Sequence, residues 1–248
     1  GHVGGEGGRE LRPGGVGGEA GGARVHLRLD LRATDERPST VEVHAQHHLC
    51  AAAVGHHEVA RRHLQRMLEE RVRAMGNALR DGDTFTTHPR GHGIFLARGA
   101  DPKRMMAEIA GKDEGYCRGK GGSMHIADMA LGHLGANAIV GGGIPHVIGA
   151  GLSARHFGTG AVSVAFFGDG AMQQGILYEA MNMAALWDLP VLFVCINNQY
   201  GMGTRIDRAT RATDFDARAR AFGLEAAMVD GADVEGVAAA ARDLADAA

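Results

Sequence analysis

Two runs in the second half of the chain, apolar apart from a single serine, limit the folds that are open to it. The runs are AVSVAFF at 161–167 and VLFVCI at 191–196, and between them MQQGILYEAMNMAALW at 172–187 has the apolar spacing of a helix. A strand that is apolar throughout is buried on both faces, and strands that alternate with helices form parallel sheets covered by those helices. The sequence therefore predicts an α/β fold, a parallel sheet with helices on both faces.

Further elements follow from residues that favour helix ends and strands. Asp101 and Pro102 are typical of a helix start, and a glycine after a helical stretch is typical of its end. We interpret two polar, glycine-containing segments as turns and loops, DGDTFTTHPRGHG at 81–93 and YCRGKGGSMHIADM at 116–129. The other predicted elements are helices at 101–111, 144–158 and 234–248, the last capped by Asp233, and a weaker strand, LEAAMV, at 224–229.

The composition of the chain changes sharply near residue 73. Residues 1–24 are very rich in glycine, and residues 25–72 are dense in histidine and arginine. A segment such as 1–24 cannot bury enough apolar surface to offset its ordering entropy, so we expect it to be disordered. A stretch rich in His, Arg, Gly and Ala without a clear period is also what a GC-rich gene gives when it is read out of frame. We therefore treat 1–72 as an atypical segment, for which a reading frame other than the native one is a hypothesis, and 73–248 as the folded domain.

Bulk properties exclude some classes of partner. The 248 residues carry a formal net charge of −3, which gives no field suited to nucleic acid or an anionic membrane. No stretch approaches the roughly 18 to 20 apolar residues of a membrane span. The 3 cysteines form no CxxC motif, which is typical of a reducing cytoplasm.

Polar residues follow both apolar strands at the point where each one ends. The first strand runs into Gly168-Asp169-Gly170, and the second runs into Asn197-Asn198. Neighbouring parallel strands end at the same edge of a sheet, where ligands bind. A carboxylate, an amide oxygen and a nearby backbone carbonyl suit Mg²⁺, which usually completes its shell with phosphate and water. The following helix would direct its free N–H groups to the same point. The pattern predicts a magnesium-bridged diphosphate site.

These residues carry a resemblance to a known family. GDGAMQQGILYEAMNMAALWDLPVLFVCINNQYGMGT resembles the thiamine diphosphate motif, which begins with GDG and ends with NN about thirty residues later. HPRGHGIFLARGADP, GYCRGKGGSMHIAD and LGANAIVGGGIP resemble the α subunit of the E1 component of 2-oxoacid dehydrogenase complexes, most closely its pyruvate and acetoin types. The resemblance covers about residues 74–248 and implies a thiamine diphosphate-binding fold with the cofactors thiamine diphosphate and Mg²⁺.

The resemblance also implies roles for individual residues. Asp169, Asn198 and the carbonyl of Tyr200 would bind Mg²⁺, while His92 would lie near the site as a candidate catalytic residue without an assigned role. Gly121, Gly122, Ser123 and His125 would form a mobile loop at the entrance. The remaining cofactor-binding residues would be Arg90 on the diphosphate, Gly168, Gly170 and Ala171 beside it, and Ala138 and Val140 on the aminopyrimidine ring.

The implied protein works in an assembly. It would form an α₂β₂ heterotetramer whose E1 β subunit supplies the activating glutamate, and it would pass the acyl group to a lipoyl group on an E2 partner after decarboxylation or cleavage of the substrate. The sequence leaves open whether that substrate is pyruvate, acetoin or a longer 2-oxoacid.

Departures from the family pattern leave alternatives. Pro89 replaces an expected Tyr or His, and the family has a histidine-bearing loop further along the chain, so we expect the domain at 73–248 to be incomplete at its C-terminal end. We therefore expect little activity from the isolated chain. One alternative is a truncated, non-catalytic paralogue that binds a β subunit, and another is a branched-chain 2-oxoacid dehydrogenase. GAGLSA at 149–154 matches a nicotinamide-binding fingerprint, but no strand precedes it, so the fingerprint lacks its structural context.

Overall fold

The computed structural model describes residues 25–30, 76, 78–231 and 233–247. The strands are β1 (Val25–Asp30), β2 (Thr84–Thr87), β3 (His133–Ala136), β4 (Ser163–Gly168), β5 (Val191–Asn197), β6 (Tyr200–Gly201), β7 (Thr204–Arg205) and β8 (Glu225–Asp230). Six of them form a sheet in the order β3-β2-β4-β5-β1-β8, and each neighbouring pair is parallel. Strands β6 and β7 form a separate antiparallel hairpin.

Helices follow most of the strands. The described residues form α1 (His92–Ala97), α2 (Pro102–Ile109), α3 (Ile144–Phe157), α4 (Gly175–Leu186), α5 (Ile206–Ala209), α6 (Phe215–Arg220) and α7 (Val234–Ala247). Asp101 caps α2 as predicted, because its carboxylate accepts a hydrogen bond from the Lys103 N–H at 2.8 Å. Gly158 ends α3 with a left-handed φ of 62°. In the part of the chain that the structure describes, no helix combines the length and apolar character of a membrane span.

Helices cover both faces of the sheet. Alternate residues of β4 point to opposite faces, so that Val164 and Phe166 join one core cluster while Ala165 and Phe167 join the other. The first cluster contains buried residues of α1, α2 and α7, and the second contains buried residues of α3, α4 and α6. The predicted parallel sheet between two helical layers is confirmed.

The loop predicted at 81–93 is partly wrong. Thr84–Thr87 form β2, which pairs with both β3 and β4, and α1 begins at His92. The threonines hide this strand from a hydrophobicity pattern, although their β-branched side chains favour strands. Their hydroxyls can be buried because they find partners: Thr84 Oγ1 lies 2.8 Å from Ser163 Oγ, and Thr87 Oγ1 lies 3.2 Å from His133 Nε2. The strand β3 was likewise not predicted.

The helix predicted from residue 172 begins later. Asp169–Gln173 form a 3-10 helix, and the α-helix α4 starts at Gly175. Gln174 lies between the two with an extended ψ of 130°, which interrupts the α-helical path. We expected the free N–H groups of this helix to begin directly after Gly170. In the structure they begin one short turn later, at the start of α4.

Strand β1 lies within the segment that we expected to be atypical. Its residues pair with β5 on one side and with β8 on the other. The sequence VHLRLD alternates apolar and polar residues, which is the period of a strand. The disorder predicted for 1–24 falls outside the described residues, as do 31–75, and the boundary between 1–72 and 73–248 stays a prediction.

Candidate active site

Asp169 lies at the carboxyl end of β4 and is buried. The residue is only 1% exposed. It directly follows Gly168 and begins the 3-10 helix Asp169–Gln173. Arg218, on α6, fixes the far end of that helix, because its guanidinium donates to the Met172 carbonyl at 3.1 Å and to Tyr178 Oη at 2.7 Å. The Arg218 side chain, which the sequence analysis did not single out, thus stabilises the turn that carries Asp169.

Two asparagines end β5 and shape the chain that follows. Asn197 Oδ1 accepts a hydrogen bond from the Gln199 N–H at 3.1 Å, and Asn198 Oδ1 accepts one from the Tyr200 N–H at 3.0 Å. Gln199 takes a left-handed φ of 67°, which turns the chain into the hairpin of β6 and β7. Each side-chain amide thus folds the backbone two residues ahead of it.

The two strand ends converge. Strands β4 and β5 are parallel neighbours, as predicted, with Gly168 opposite Ile196. Beyond the strands, a Cβ added to Gly170 would lie 3.7 Å from the Gly201 Cα, so the turn after β4 touches the hairpin after β5. The structure therefore brings the Asp169 turn and the Asn198–Tyr200 segment to one place at the carboxyl edge of the sheet.

The oxygen atoms at this place are of the types that bind a hard cation. They are a carboxylate, an amide oxygen and backbone carbonyls, the oxygen types that Mg²⁺ prefers. The carboxylate among them, that of Asp169, belongs to a buried residue. Within the described residues there is no cluster of three or more His, Cys, Asp or Glu side chains that could hold a metal.

Arg90 lies on the turn that follows β2, at the same edge of the sheet. The residue is exposed, and its N–H donates to His88 Nδ1 at 3.0 Å. Burial, followed by the positive charges of Arg90 and His92, lowers the pKa of His88 to about 4. His88 is therefore neutral at pH 7 and supports the turn as a hydrogen-bond acceptor.

His92 contacts the loop that was predicted to lie at the entrance. Its Nε2 lies 2.9 Å from the Ser123 carbonyl and 3.1 Å from Ser123 Oγ. Because a carbonyl can only accept, Nε2 carries the proton and donates to it. His92 thus connects the start of α1 to the loop of Gly121, Gly122, Ser123 and His125.

The residues predicted to face the aminopyrimidine ring lie in the segment after β3. The Asn137 N–H donates to the Thr87 carbonyl at 3.2 Å, which places this segment beside the end of β2. Val140 is 54% exposed, and Ala138 is half-buried. A Cβ on Gly141 would lie 3.4 Å from the Gln174 side chain, so the segment also borders the start of α4.

Two buried residues in this region escaped the sequence analysis. Glu108, on α2, accepts four backbone hydrogen bonds from the Cys117–Gly122 loop. His133, on β3, is 1% exposed, stacks on Phe85 with ring centroids 4.7 Å apart, and has a pKa that burial lowers to about 4. A single charged or aromatic residue in a helix or strand gives no local signal of such a role.

The same fold occurs in a solved enzyme structure. Transketolase from Leishmania mexicana shares it with a TM-score of 0.55 at 14% sequence identity, over 72% of this chain and 34% of that one. At this identity the likeness concerns the fold alone, and it confirms the predicted fold class.

The family follows from the sequence itself. The model of the family described as "Dehydrogenase E1 component" matches residues 57–248. The chain therefore belongs to the dehydrogenase E1 component family, which confirms the resemblance found in its motifs.

Curated relatives agree with this assignment. The α subunit of acetoin:2,6-dichlorophenolindophenol oxidoreductase from Bacillus subtilis is 50% identical over 165 residues, which cover 66% of this chain and 50% of the relative. The pyruvate dehydrogenase E1 component subunit α from Rhizobium meliloti is 44% identical over 181 residues, covering 73% and 52%. The chain thus spans about half the length of these relatives.

Proposed function

We propose that this chain is the α subunit of a pyruvate- or acetoin-type dehydrogenase E1 component and that it binds thiamine diphosphate through Mg²⁺. The observation that carries the proposal is the meeting of the Asp169 turn with the Asn198–Tyr200 segment at the carboxyl edge of the sheet. Membership of the E1 family and the two curated relatives support the choice of reaction.

The metal would be held by oxygen atoms of three residues. Asp169 provides the negative charge, Asn198 provides its side-chain oxygen, and Tyr200 provides its backbone carbonyl. Asn198 Oδ1 already accepts the Tyr200 N–H at 3.0 Å, and an amide oxygen has a second lone pair for the metal. The same hydrogen bond fixes the orientation of the amide in advance of metal binding.

The rest of the cofactor would lie across neighbouring strand ends. Arg90 is exposed at the end of β2, where a guanidinium suits a diphosphate. The backbone of Gly170 and Ala171 would donate to the same anion. Ala138 and Val140, beside the start of α4, would offer backbone groups to the aminopyrimidine ring.

When bound, thiamine diphosphate supplies the carbon nucleophile that adds to the oxo group of the substrate and accepts the electrons of bond cleavage. This chain holds the diphosphate end of the cofactor and, through His92 and Ser123, shapes the entrance. An E1 β subunit would contribute the activating glutamate in an α₂β₂ assembly, and a lipoyl-bearing E2 would accept the acyl group. We place this assembly in the cytoplasm.

Cofactor titration of the Asp169→Ala variant tests the proposal. The chain is mixed with its β subunit, and binding of thiamine diphosphate is measured by calorimetry with Mg²⁺ and with EDTA. We expect wild-type binding to need Mg²⁺ and the variant to bind more than about 10-fold more weakly, since even supporting residues around metal sites contribute 10- to 100-fold.

Glu225→Gln serves as the matched control. Glu225 is exposed at the start of β8, at the opposite edge of the parallel sheet, so this variant loses one negative charge without touching the site. It should bind like the wild type. Mg²⁺-dependent binding that survives in Asp169→Ala would refute the proposed site. If the site is supported, rates of reductive acyl transfer measured with pyruvate and with acetoin would decide which of the two is the substrate.

A further inference from the structure

The carboxylate of Glu108 lies inside a ring of backbone donors. Its Oε2 accepts the N–H groups of Cys117 and Gly119 at 2.7 and 2.8 Å. Its Oε1 accepts those of Gly121 and Gly122 at 2.7 and 2.9 Å. Glu108 itself is 0% exposed. One side chain therefore satisfies four N–H groups of a single six-residue loop.

Such a group of converging N–H donors is a typical anion site. Successive backbone N–H groups that point to one centre bind phosphates and other anions in many proteins. Here the anion belongs to the protein. Burial raises the pKa of Glu108, but the four hydrogen bonds outweigh it, so that the pKa lies below the usual value of 4.5. The carboxylate is therefore ionised at neutral pH.

The loop has little regular structure to hold it without this carboxylate. Arg118, Gly119 and Gly122 have left-handed φ values of 58°, 70° and 58°. One turn hydrogen bond of 3.2 Å, from the Lys120 N–H to the Cys117 carbonyl, lies within the loop, and one of 3.3 Å joins the Arg118 N–H to the Gly115 carbonyl just before it. A Cβ on Gly119 would lie 2.4 Å from the Gly111 carbonyl carbon, so the loop packs directly on the end of α2.

The loop leads straight to the candidate active site. Ser123 follows Gly122, and both its carbonyl and its hydroxyl contact His92 Nε2. His92 begins α1 immediately after the turn that carries Arg90. A continuous set of contacts thus runs from Glu108 through the loop to the turn beside the proposed diphosphate site.

We propose that Glu108 is a positioning residue: it serves as the internal anion that folds the Cys117–Gly122 loop and so holds Ser123 against His92. Its effect on cofactor binding rests on the function proposed above, whereas its effect on the loop does not. A small anion that enters the space left by a truncated side chain should restore the loop, because the four donors would remain.

Limited trypsin digestion of the purified full chain tests the effect on the loop. Arg118 and Lys120 are exposed within it and supply the cleavage sites. We expect Glu108→Ala to be cut there at least about 10-fold faster than the wild type, and formate or acetate, but not chloride at the same ionic strength, to slow that cleavage. Glu114→Ala is the matched control, since Glu114 is an exposed carboxylate a few residues along the same segment.

Glu108→Gln guards against a variant that fails to fold. Its amide keeps the shape of the side chain but can accept at only one of the two atoms, so loop cleavage should be intermediate. Wild-type cleavage rates in both variants would overturn the proposal, and so would acceleration that formate and acetate leave unchanged.

Titration with thiamine diphosphate in the β-containing assembly then separates the two proposals. We expect Glu108→Ala to need at least about 10-fold more cofactor for half-maximal activity, with a smaller change in kcat and recovery by formate. If the wild-type assembly binds no thiamine diphosphate while loop cleavage responds as expected, the proposed function fails and the role of Glu108 stands. If cofactor binding is normal and loop cleavage is unchanged, the role of Glu108 fails alone.

Discussion

Two glycines of α3 should respond in opposite ways to the same substitution. A Cβ on Gly149 would meet nothing within 4 Å, whereas a Cβ on Gly151 would lie 2.5 Å from Val191 Cγ2. Alanine in place of glycine stabilises a helix by roughly 0.5–1 kcal/mol, because glycine loses more backbone freedom on folding. Gly149→Ala should therefore raise the free energy of unfolding by that amount.

Gly151→Ala adds a steric cost to the same helical gain. Carbon atoms in contact normally lie about 3.5–4.0 Å apart, so the new methyl group is about 1 Å too close. Val191 is 1% exposed, and its β-branched side chain has little rotational freedom. The clash must therefore be relieved by moving α3 away from β5. Overpacking of this kind costs about 1–3 kcal/mol. Because the helical gain is common to both variants, their difference should equal this cost.

Urea unfolding followed by far-ultraviolet circular dichroism measures the difference. Three proteins are compared: the wild type, Gly149→Ala and Gly151→Ala, each at two protein concentrations to separate folding from association. Val191→Ala removes the clashing methyl, so it should cost less in the Gly151→Ala background than in the wild type. Equal stability of the two glycine variants would refute the close approach of α3 to β5.

Two further predictions concern buried polar residues. The pKa of His133 lies near 4, below its ordinary value of 6.5, so the unfolded chain binds a proton that the folded chain does not. The free energy of unfolding should therefore fall by up to about 3 kcal/mol as the pH drops from about 6.5 to about 4. Urea unfolding at a series of pH values should show a smaller dependence on pH in His133→Gln than in the wild type. Equal pH dependence in the two proteins would contradict this. Arg218→Met removes the guanidinium that donates hydrogen bonds to the Met172 carbonyl and to Tyr178 Oη. It should lower the free energy of unfolding by about 1–3 kcal/mol, and Arg218→Lys should lower it less. Unchanged urea midpoints in Arg218→Met would show that these bonds contribute nothing.

The strands differ in how far the sequence could predict them. Strands β4 and β5 are apolar apart from Ser163 and Asn197 at their ends, because helices cover both of their faces, and this is visible in the residues themselves. Strand β2 is TFTT, and the hydroxyls of Thr84 and Thr87 find their partners, Ser163 and His133, only in the folded chain. Strand β1 pairs with β5 and β8, which are distant in sequence, and a local pattern cannot specify such partners.

The site divides in the same way. That Asp169 and Asn198 lie near each other could be predicted, because each follows a recognisable strand and the ends of parallel neighbours meet by geometry alone; their role as metal ligands stays a prediction. The start of α4 was misplaced because the backbone of Gln174 leaves the helical path, which its sequence does not reveal.

The sequence by itself determined the positions of β4 and β5, the polar residues that follow them and the family, and it gave the prediction of a metal site. The tertiary structure alone decided which residues support that site. Glu108 meets its loop only where α2 and the glycine-rich segment pack together, and Arg218 reaches the Asp169 turn only because α6 lies beside it. The physical reason is the range of the interactions: strand burial and turn chemistry are written in adjacent residues, whereas hydrogen bonds between separate elements exist only once the chain has folded.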